Sequence, residues 1–98
     1  MTTSPLSDST RVVAAGDLLV TEFGAELVVL NLRDGVYYGL EDVGARIWRL
    51  LQEPVTVAAI CDVIVSEYDV APVCCEQDTR ALLGELAARG LVEVREHR

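Results

Sequence analysis

The sequence has few of the residues with which enzymes perform catalysis. Its only histidine, His97, is the second-last of 98 residues, where order is least expected, so no His-based catalytic triad is predicted. It also has no glycine-rich phosphate loop and no carboxylates at metal-binding spacing. Asp17, Asp34 and Glu41 are better explained as turn and cap residues than as acid–base pairs. We therefore expect a binding protein that is not an enzyme and that needs no cofactor.

Cysteine is scarce as well. The three cysteines are an odd number, and Cys74 and Cys75 are adjacent, a pattern that does not form the usual disulfide framework of a small secreted domain. Only His97 could join them as a ligand, and Cys-x-x-Cys spacing is absent, so no metal site is expected. We expect reduced thiols that are buried as small apolar residues.

Positive charge and long apolar runs are also missing. Eight basic residues against sixteen acidic ones give a net charge of −8, which disfavours nucleic acid as a partner. Apolar runs such as residues 27–30 are far shorter than the roughly 20 residues that span a bilayer, so no membrane association is expected. The first ten residues have neither the basic nor the apolar region of a secretory signal, and we expect a cytoplasmic protein.

The composition predicts one packed domain that begins with strands. Of the residues, 51% are hydrophobic and 24% are charged, as in a soluble globular domain. Residues 1–10 are rich in Ser and Thr and are predicted to be a disordered tail, which leaves a single domain over residues 11–98. Strands are predicted at residues 18–23, 26–32 and 35–40, with a possible short strand at residues 11–14. The Asp34-Gly35 pair predicts a hairpin between the last two strands.

After Leu40 the apolar period changes from two residues to about 3.6. A first helix is predicted over residues 42–52, with Trp48 in the core, and Thr56 is a plausible N-cap of a second helix that extends to Tyr68. Pro72 begins a third helix and Gly90 closes it, before residues 91–94 return to extended structure or to the core. The predicted fold class is α+β and winged helix-turn-helix-like, with a three-stranded antiparallel sheet followed by three helices.

The third predicted strand is the best candidate for binding. If the strand order follows the chain, residues 35–40 form an edge strand with unpaired backbone groups. Tyr37 and Tyr38 point to opposite faces of the sheet, and Gly39 allows another backbone to approach. The alternative is that both tyrosines pack against the core. A winged-helix fold would also suit a transcription regulator, although the third helix offers three acidic residues, Glu76, Asp78 and Glu85, against two basic ones, Arg80 and Arg89.

Four segments of the sequence together resemble the PqqD-like family. They are GVYYGL at residues 35–40, VGARIW at residues 43–48, TVA at residues 56–58 and LGELAARGLV at residues 83–92, within a resemblance that covers about residues 17–94. Members of the family are precursor peptide recognition elements of ribosomally synthesised, post-translationally modified peptides. They have the predicted order of strands and helices, and they bind the leader of a precursor peptide without catalysis.

The resemblance implies a binding site between the third predicted strand and the third helix. The leader would pair with the strand as a fourth strand, and its side chains would enter the groove beside the helix. Asp78 or Glu85 could meet a polar or basic leader group and Arg80 an acidic one. The implied contact residues are Val36, Tyr37, Tyr38, Gly39 and Leu40 on the strand and Asp78, Arg80, Leu82, Leu83 and Leu86 on the helix.

Within the family, a separate chain of this size is similar to the discrete leader-binding proteins of lasso peptide biosynthesis. The implied partners are the precursor leader peptide, a leader-cleaving cysteine protease and the ATP-dependent lasso cyclase. The alternative within the family is the peptide chaperone of pyrroloquinoline quinone biosynthesis, which serves a radical SAM enzyme.

Overall fold

A computed structural model describes residues 6–95. Within them, the three strands of an antiparallel sheet precede three helices, so the α+β prediction of a three-stranded antiparallel sheet followed by three helices is confirmed. Short further strands lie before this sheet, between the first two helices and after the third helix. The elements are β1 (Arg11–Ala14), β2 (Leu18–Phe23), β3 (Glu26–Asn31), β4 (Tyr37–Glu41), α1 (Val43–Leu50), β5 (Val55–Thr56), α2 (Val57–Glu67), α3 (Pro72–Ala88) and β6 (Val92–Arg95).

Strands β2, β3 and β4 form an antiparallel meander in chain order. Its strands lie within about two residues of the predicted ones, and the third predicted strand corresponds to β4. At the middle of the sheet, Val29 lies opposite Val20 on one side and Tyr38 on the other. Because β4 pairs only with β3 among the described strands, it is an edge strand, as the chain order predicts.

The turn before β4 depends on Asp34 and Gly35. Gly35 has a φ of 75°, a conformation that glycine adopts without a Cβ clash. Its N–H donates to the carbonyl of Asn31 at 2.9 Å, and the Val36 N–H donates to Asp34 Oδ1 at 3.0 Å. The predicted hairpin is therefore confirmed, with a connection of five residues between β3 and β4.

A second sheet was not predicted from the sequence. It has the order β5-β1-β6, and Val12 lies opposite Val55 on one side and Val94 on the other. The possible strand at residues 11–14 and the extended segment after Gly90 are thus both present. Their pairing brings the two ends of the described chain together.

The helices begin and end close to the predicted residues. Thr56 caps α2, because its Oγ1 accepts a hydrogen bond from the Ala59 N–H at 3.1 Å. Pro72 is the first residue of α3, and Gly90 follows its C-cap with a φ of 75°. Asp42 lies at the N-cap of α1, but its side chain makes no capping hydrogen bond.

The predicted disordered tail is too long. Leu6 is only 5% exposed and belongs to the core, and the carbonyl of Asp8 accepts a hydrogen bond from the Ala58 N–H at 3.0 Å. The Ser7 N–H donates to Thr10 Oγ1 at 2.9 Å. Residues 6–10 therefore pack against α2, while residues 1–5 of the predicted tail lie outside the described part of the chain.

The core lies between the inner face of the β2-β3-β4 sheet and the three helices, and Trp48 lies in it as predicted. Cys61 and Cys75 are buried free thiols, and burial raises the pKa of the Cys61 thiol. Cys74 is exposed, which corrects the prediction that all three are buried. Across residues 6–95, no helix has the length and apolar character to cross a membrane, and no group of His, Cys, Asp or Glu could hold a metal ion.

Candidate functional site

The side chains of β4 divide between the two faces of the sheet. Tyr38 lies opposite Val29 and Leu40 lies opposite Leu27, so both share the inner face with these buried residues. Since side chains alternate along a strand, Tyr37, Gly39 and Glu41 occupy the outer face. The sequence predicted that the two tyrosines point in opposite directions, and the register of β4 agrees with it.

The backbone groups of β4 also alternate, between β3 and the free edge. The Asn31 N–H donates to the carbonyl of Val36 at 2.8 Å, which identifies this pair as hydrogen-bonded across the two strands. Hydrogen-bonded pairs in an antiparallel ladder recur every second residue, so Tyr38 and Leu40 also bond to β3. The N–H and C=O groups of Tyr37, Gly39 and Glu41 consequently point away from the sheet at its edge.

One face of α3 lies beside this edge. Asp78, Leu82 and Glu85 follow each other at helical spacing, with Leu82 half-buried and the other two exposed. A Cβ placed on Gly44 would lie 3.2 Å from Leu40 Cδ2 and 3.9 Å from Leu82 Cδ2. Leu40 of β4 and Leu82 of α3 therefore converge over the first turn of α1, where a side chain at position 44 would crowd Leu40.

Tyr38 connects β4 to the C-terminal half of α3. Its hydroxyl donates a hydrogen bond to Glu85 Oε1, and the guanidinium of Arg89 lies 5.2 Å from the centre of its ring. The hydrogen bond to Glu85, together with burial, raises the pKa of the Tyr38 hydroxyl. This cluster joins the strand to the helix at one end of the groove.

An apolar cavity of about 280 Å³ lies on the other side of Leu82. It is lined by residues of α1, α2, α3 and the loop between α2 and α3, and Asp78 is its one charged lining residue among those described. The groove between β4 and α3 is therefore polar at Tyr38, apolar at Leu82 and open to a pocket beyond it. The cavity is lined by Val43, Gly44, Ile47, Ile64, Val70, Cys74, Cys75, Asp78, Thr79 and Leu82.

Comparison with known proteins identifies the family. The family model described as coenzyme PQQ synthesis protein D (PqqD) matches residues 26–92. The chain belongs to the PqqD family. The structure of TbiB1 in complex with the TbiA(beta) leader peptide is 35% identical, with a TM-score of 0.79, and the match covers 87% of this chain and 99% of that one. The structure of a lasso peptide synthetase B1 complexed with the leader peptide is 27% identical, with a TM-score of 0.74, and the match covers 84% and 96%. No curated protein matches the chain.

The resemblance stated from four sequence segments is thereby confirmed. The contact residues that it implies stay predictions, and the structure places them at different depths. Leu83 and Leu86 are completely buried, so they support the helix from the core and do not line the groove. Val36 precedes β4, and both of its backbone groups are already hydrogen-bonded within the turn and to β3.

Arg80 also lies outside the groove. It is two positions from Asp78 and from Leu82, and two residues are separated by about 200° around a helix. Its guanidinium forms ion pairs with Asp8 and, at 3.4 Å, with Glu76. Arg80 therefore binds the N-terminal segment to α3. The implied contact residues that lie at the edge of β4 or beside the groove are Tyr37, Tyr38, Gly39, Leu40, Asp78 and Leu82, and their contact with a leader stays a prediction.

The sequence analysis does not identify Arg89, Gly44 or the cavity residues other than Asp78 and Leu82. Arg89 continues the spacing of Asp78, Leu82 and Glu85 by one further turn, so helical periodicity could have identified it. The cavity is lined by three helices and the loop between α2 and α3, and no local pattern relates Val43 to Val70. Only the tertiary packing places them together.

Proposed function

We propose that this PqqD-family chain is a leader-binding adaptor of lasso peptide biosynthesis. The leader pairs with the free edge of β4, and its side chains enter the groove between β4 and α3. The observation that carries the proposal is the position of an unpaired strand edge directly beside an apolar groove and pocket. The two structurally similar proteins described above were each solved in complex with a leader peptide, and this likeness supports the proposal.

Backbone pairing gives the leader its register. The N–H and C=O groups of Tyr37, Gly39 and Glu41 offer hydrogen bonds at every second residue, as an added strand requires. Because such bonds are independent of side-chain identity, they provide affinity for an extended peptide without specifying its sequence. Sequence preference must come from the groove.

Side-chain selection takes place at Leu82 and in the adjoining pocket. An apolar leader side chain that entered the cavity would lose its exposure to water against Val43, Ile47 and Leu82, at about 25 cal/mol for each Å² of apolar surface. Asp78 lies at the same cavity and would favour a polar or basic group next to that side chain. The PqqD-family groove therefore suits a leader that combines an apolar anchor with a polar neighbour.

The adaptor binds its peptide without changing it. It holds the leader for a leader-cleaving cysteine protease, and the lasso cyclase is the next enzyme that acts on the precursor. The role of the chain is to raise the local concentration of the precursor at these enzymes.

A second function within the family is favoured by the description of the matching family model. In pyrroloquinoline quinone biosynthesis, the same groove would hold a different precursor for a radical SAM enzyme. The two functions predict different ligands, since each adaptor should prefer the leader of its own precursor. A direct comparison of the two peptides distinguishes them.

The test is to titrate the full chain into a fluorescein-labelled leader peptide. The leader sequence is that of the precursor encoded by the gene next to the one for this chain, and a scrambled leader is the control. Fluorescence anisotropy should show saturable binding of the native leader alone. Leu82→Asp should weaken this binding by about tenfold or more, because an apolar anchor would then face a carboxylate. Val73→Asp is the matched control, since Val73 lies on the same helix, is 66% exposed and lines no part of the groove.

Circular dichroism and thermal unfolding confirm that each variant is folded. Equal binding of the native and scrambled leaders would remove the adaptor function. If Leu82→Asp and Val73→Asp weaken leader binding equally, the chain still binds a leader, but the binding site is not this groove.

A further inference from the structure

The outer face of the β2-β3-β4 sheet is apolar and uncovered. Leu19, Leu30 and Tyr37 lie side by side across the three strands. Leu19 is 54% exposed, Tyr37 is 71% exposed, and Phe23 on the same face is 61% exposed. None of the described helices packs over these side chains, because the helices cover the opposite face. An exposed apolar surface of this kind on a small domain indicates contact with another molecule.

The centre of this face is a depression. Gly39 lies opposite Val28 in the register, and a Cβ at position 39 would meet no atom within 4 Å. A cavity of about 240 Å³ is present here, with Glu26 and Glu41 among its lining residues. The large side chains of Tyr37 and Phe23 stand on either side of the Gly39 row, so the surface can receive a protruding side chain of a partner.

The charges on the outer face have one sign. Glu26 lies directly opposite Glu41, and neither carboxylate has a side-chain partner among residues 6–95. Like charges directly opposite each other on neighbouring strands are destabilising, so a cation placed between them would relieve the repulsion. A second copy of the chain would instead bring more acidic groups to this face, and each copy carries a net charge of −8.

The outer face is continuous with the proposed leader site. A strand added to the edge of β4 extends the same sheet, and every second leader side chain then lies on the outer face next to Tyr37 and Glu41. A partner docked on this face would therefore contact both the adaptor and the bound leader. That arrangement suits an enzyme whose substrate is the leader.

We infer that the outer face of the β2-β3-β4 sheet is the docking surface for the leader-cleaving protease, through an apolar patch of the protease flanked by arginine or lysine. The inference rests on the proposed function and adds the surface that the partner uses. Leader and protease thus bind to opposite faces of the same strand. The groove with α3 holds the leader, and Leu19, Phe23 and Tyr37 hold the enzyme.

The experiment measures the binding of the protease encoded beside this chain to the immobilised adaptor by biolayer interferometry, with and without saturating leader. Leu19→Asp should weaken protease binding by about tenfold or more, since Leu19 lies within the apolar row. Leader binding by the same variant should change by less than about twofold, because Leu19 is two strands from the leader edge. Val73→Asp, on α3, should change neither.

A charge reversal separates docking from folding. Glu26→Lys removes the repulsion with Glu41, so it should leave the unfolding temperature unchanged or raise it while weakening protease binding by about fivefold or more. A merely structural role of this face predicts the reverse, a loss of stability without a specific loss of docking.

These experiments distinguish a failure of the proposed function from a failure of the docking inference. If the wild-type chain does not bind its leader, the proposed function fails. If the leader binds but the protease binds all variants equally, or does not bind at all, the docking surface is wrong. If sedimentation shows a wild-type dimer that Leu19→Asp dissociates, a second copy occupies the face and the inference is overturned.

Discussion

The free N–H group of Gly39 allows backbone pairing to be tested separately from the fold. It points to the edge of the sheet, so a proline at position 39 removes a donor that β3 does not use. Tyr38, the residue before it, is already extended, as a residue before proline prefers to be. Gly39→Pro should therefore fold but fail to pair with a leader at this position.

The size of the loss follows from the hydrogen bond that disappears. The leader carbonyl that would accept from the Gly39 N–H is left without a partner at the interface, which costs about 1–3 kcal/mol. The dissociation constant should rise by about 5- to 150-fold. Gly39→Ala is the matched control, because its Cβ would meet no atom within 4 Å and its N–H is retained.

The assay is the anisotropy titration of labelled leader with the wild-type chain and both variants, together with thermal unfolding of each. Loss of binding by Gly39→Pro alone, at an unfolding temperature close to that of the wild type, is the expected result. If the folded proline variant binds as tightly as the wild type, the leader does not pair with β4 at Gly39. If the alanine variant is weakened as much as the proline variant, the effect comes from the side chain and not from the lost donor.

Three further substitutions test the parts of the fold that form the site. Glu85→Gln removes the carboxylate that raises the pKa of Tyr38, so a spectrophotometric titration should show this hydroxyl ionising at lower pH. The wild type should also lose stability as the pH rises from about 10 through the raised pKa, since the folded state retains the proton longer, and the variant should lose less over this range. Leu83→Ala should cost about 2–5 kcal/mol of unfolding free energy in urea yet leave leader affinity of the folded protein unchanged, whereas a weaker affinity would return Leu83 to the contact residues. Thr56→Ala should cost about 0.5–2 kcal/mol through the lost cap, and an unchanged unfolding free energy would show that the hydrogen bond to the Ala59 N–H does not stabilise α2.

Local patterns in the sequence were enough for most of the fold. Short runs of Val, Leu, Tyr and Phe between turn residues predict the three strands of the meander. Thr56, Pro72 and Gly90 predict helix ends that the structure has at the same residues. The β5-β1-β6 sheet was not predictable in the same way. Val12 pairs with residues more than forty and eighty positions away, and no local pattern of a four-residue strand indicates its partners.

The candidate site was predicted only in part, for a reason that lies in α3. Leu82, Leu83 and Leu86 are all apolar, so composition does not tell which of them faces the core and which faces the groove. The structure places Leu83 and Leu86 in the core and Leu82 beside Leu40. Arg80 was assigned to the groove by resemblance, although its helical position is incompatible with that of Leu82.

The two proposed surfaces depend on the period of two in β4. The side chains of Tyr38 and Leu40 face α3, and those of Tyr37 and Glu41 lie on the outer face of the sheet. The backbone N–H and C=O groups of Tyr37, Gly39 and Glu41 point to the free edge. A strand of five residues thus contributes to a groove, an edge and an outer face without any residue serving two side-chain contacts. Separate substitutions can therefore remove one interaction at a time. Leu82 lies only in the groove, the N–H of Gly39 only at the edge, and Leu19 only on the outer face. If the adaptor joins leader and protease through this strand, Leu82→Asp and Gly39→Pro should weaken leader binding, and Leu19→Asp should weaken protease binding.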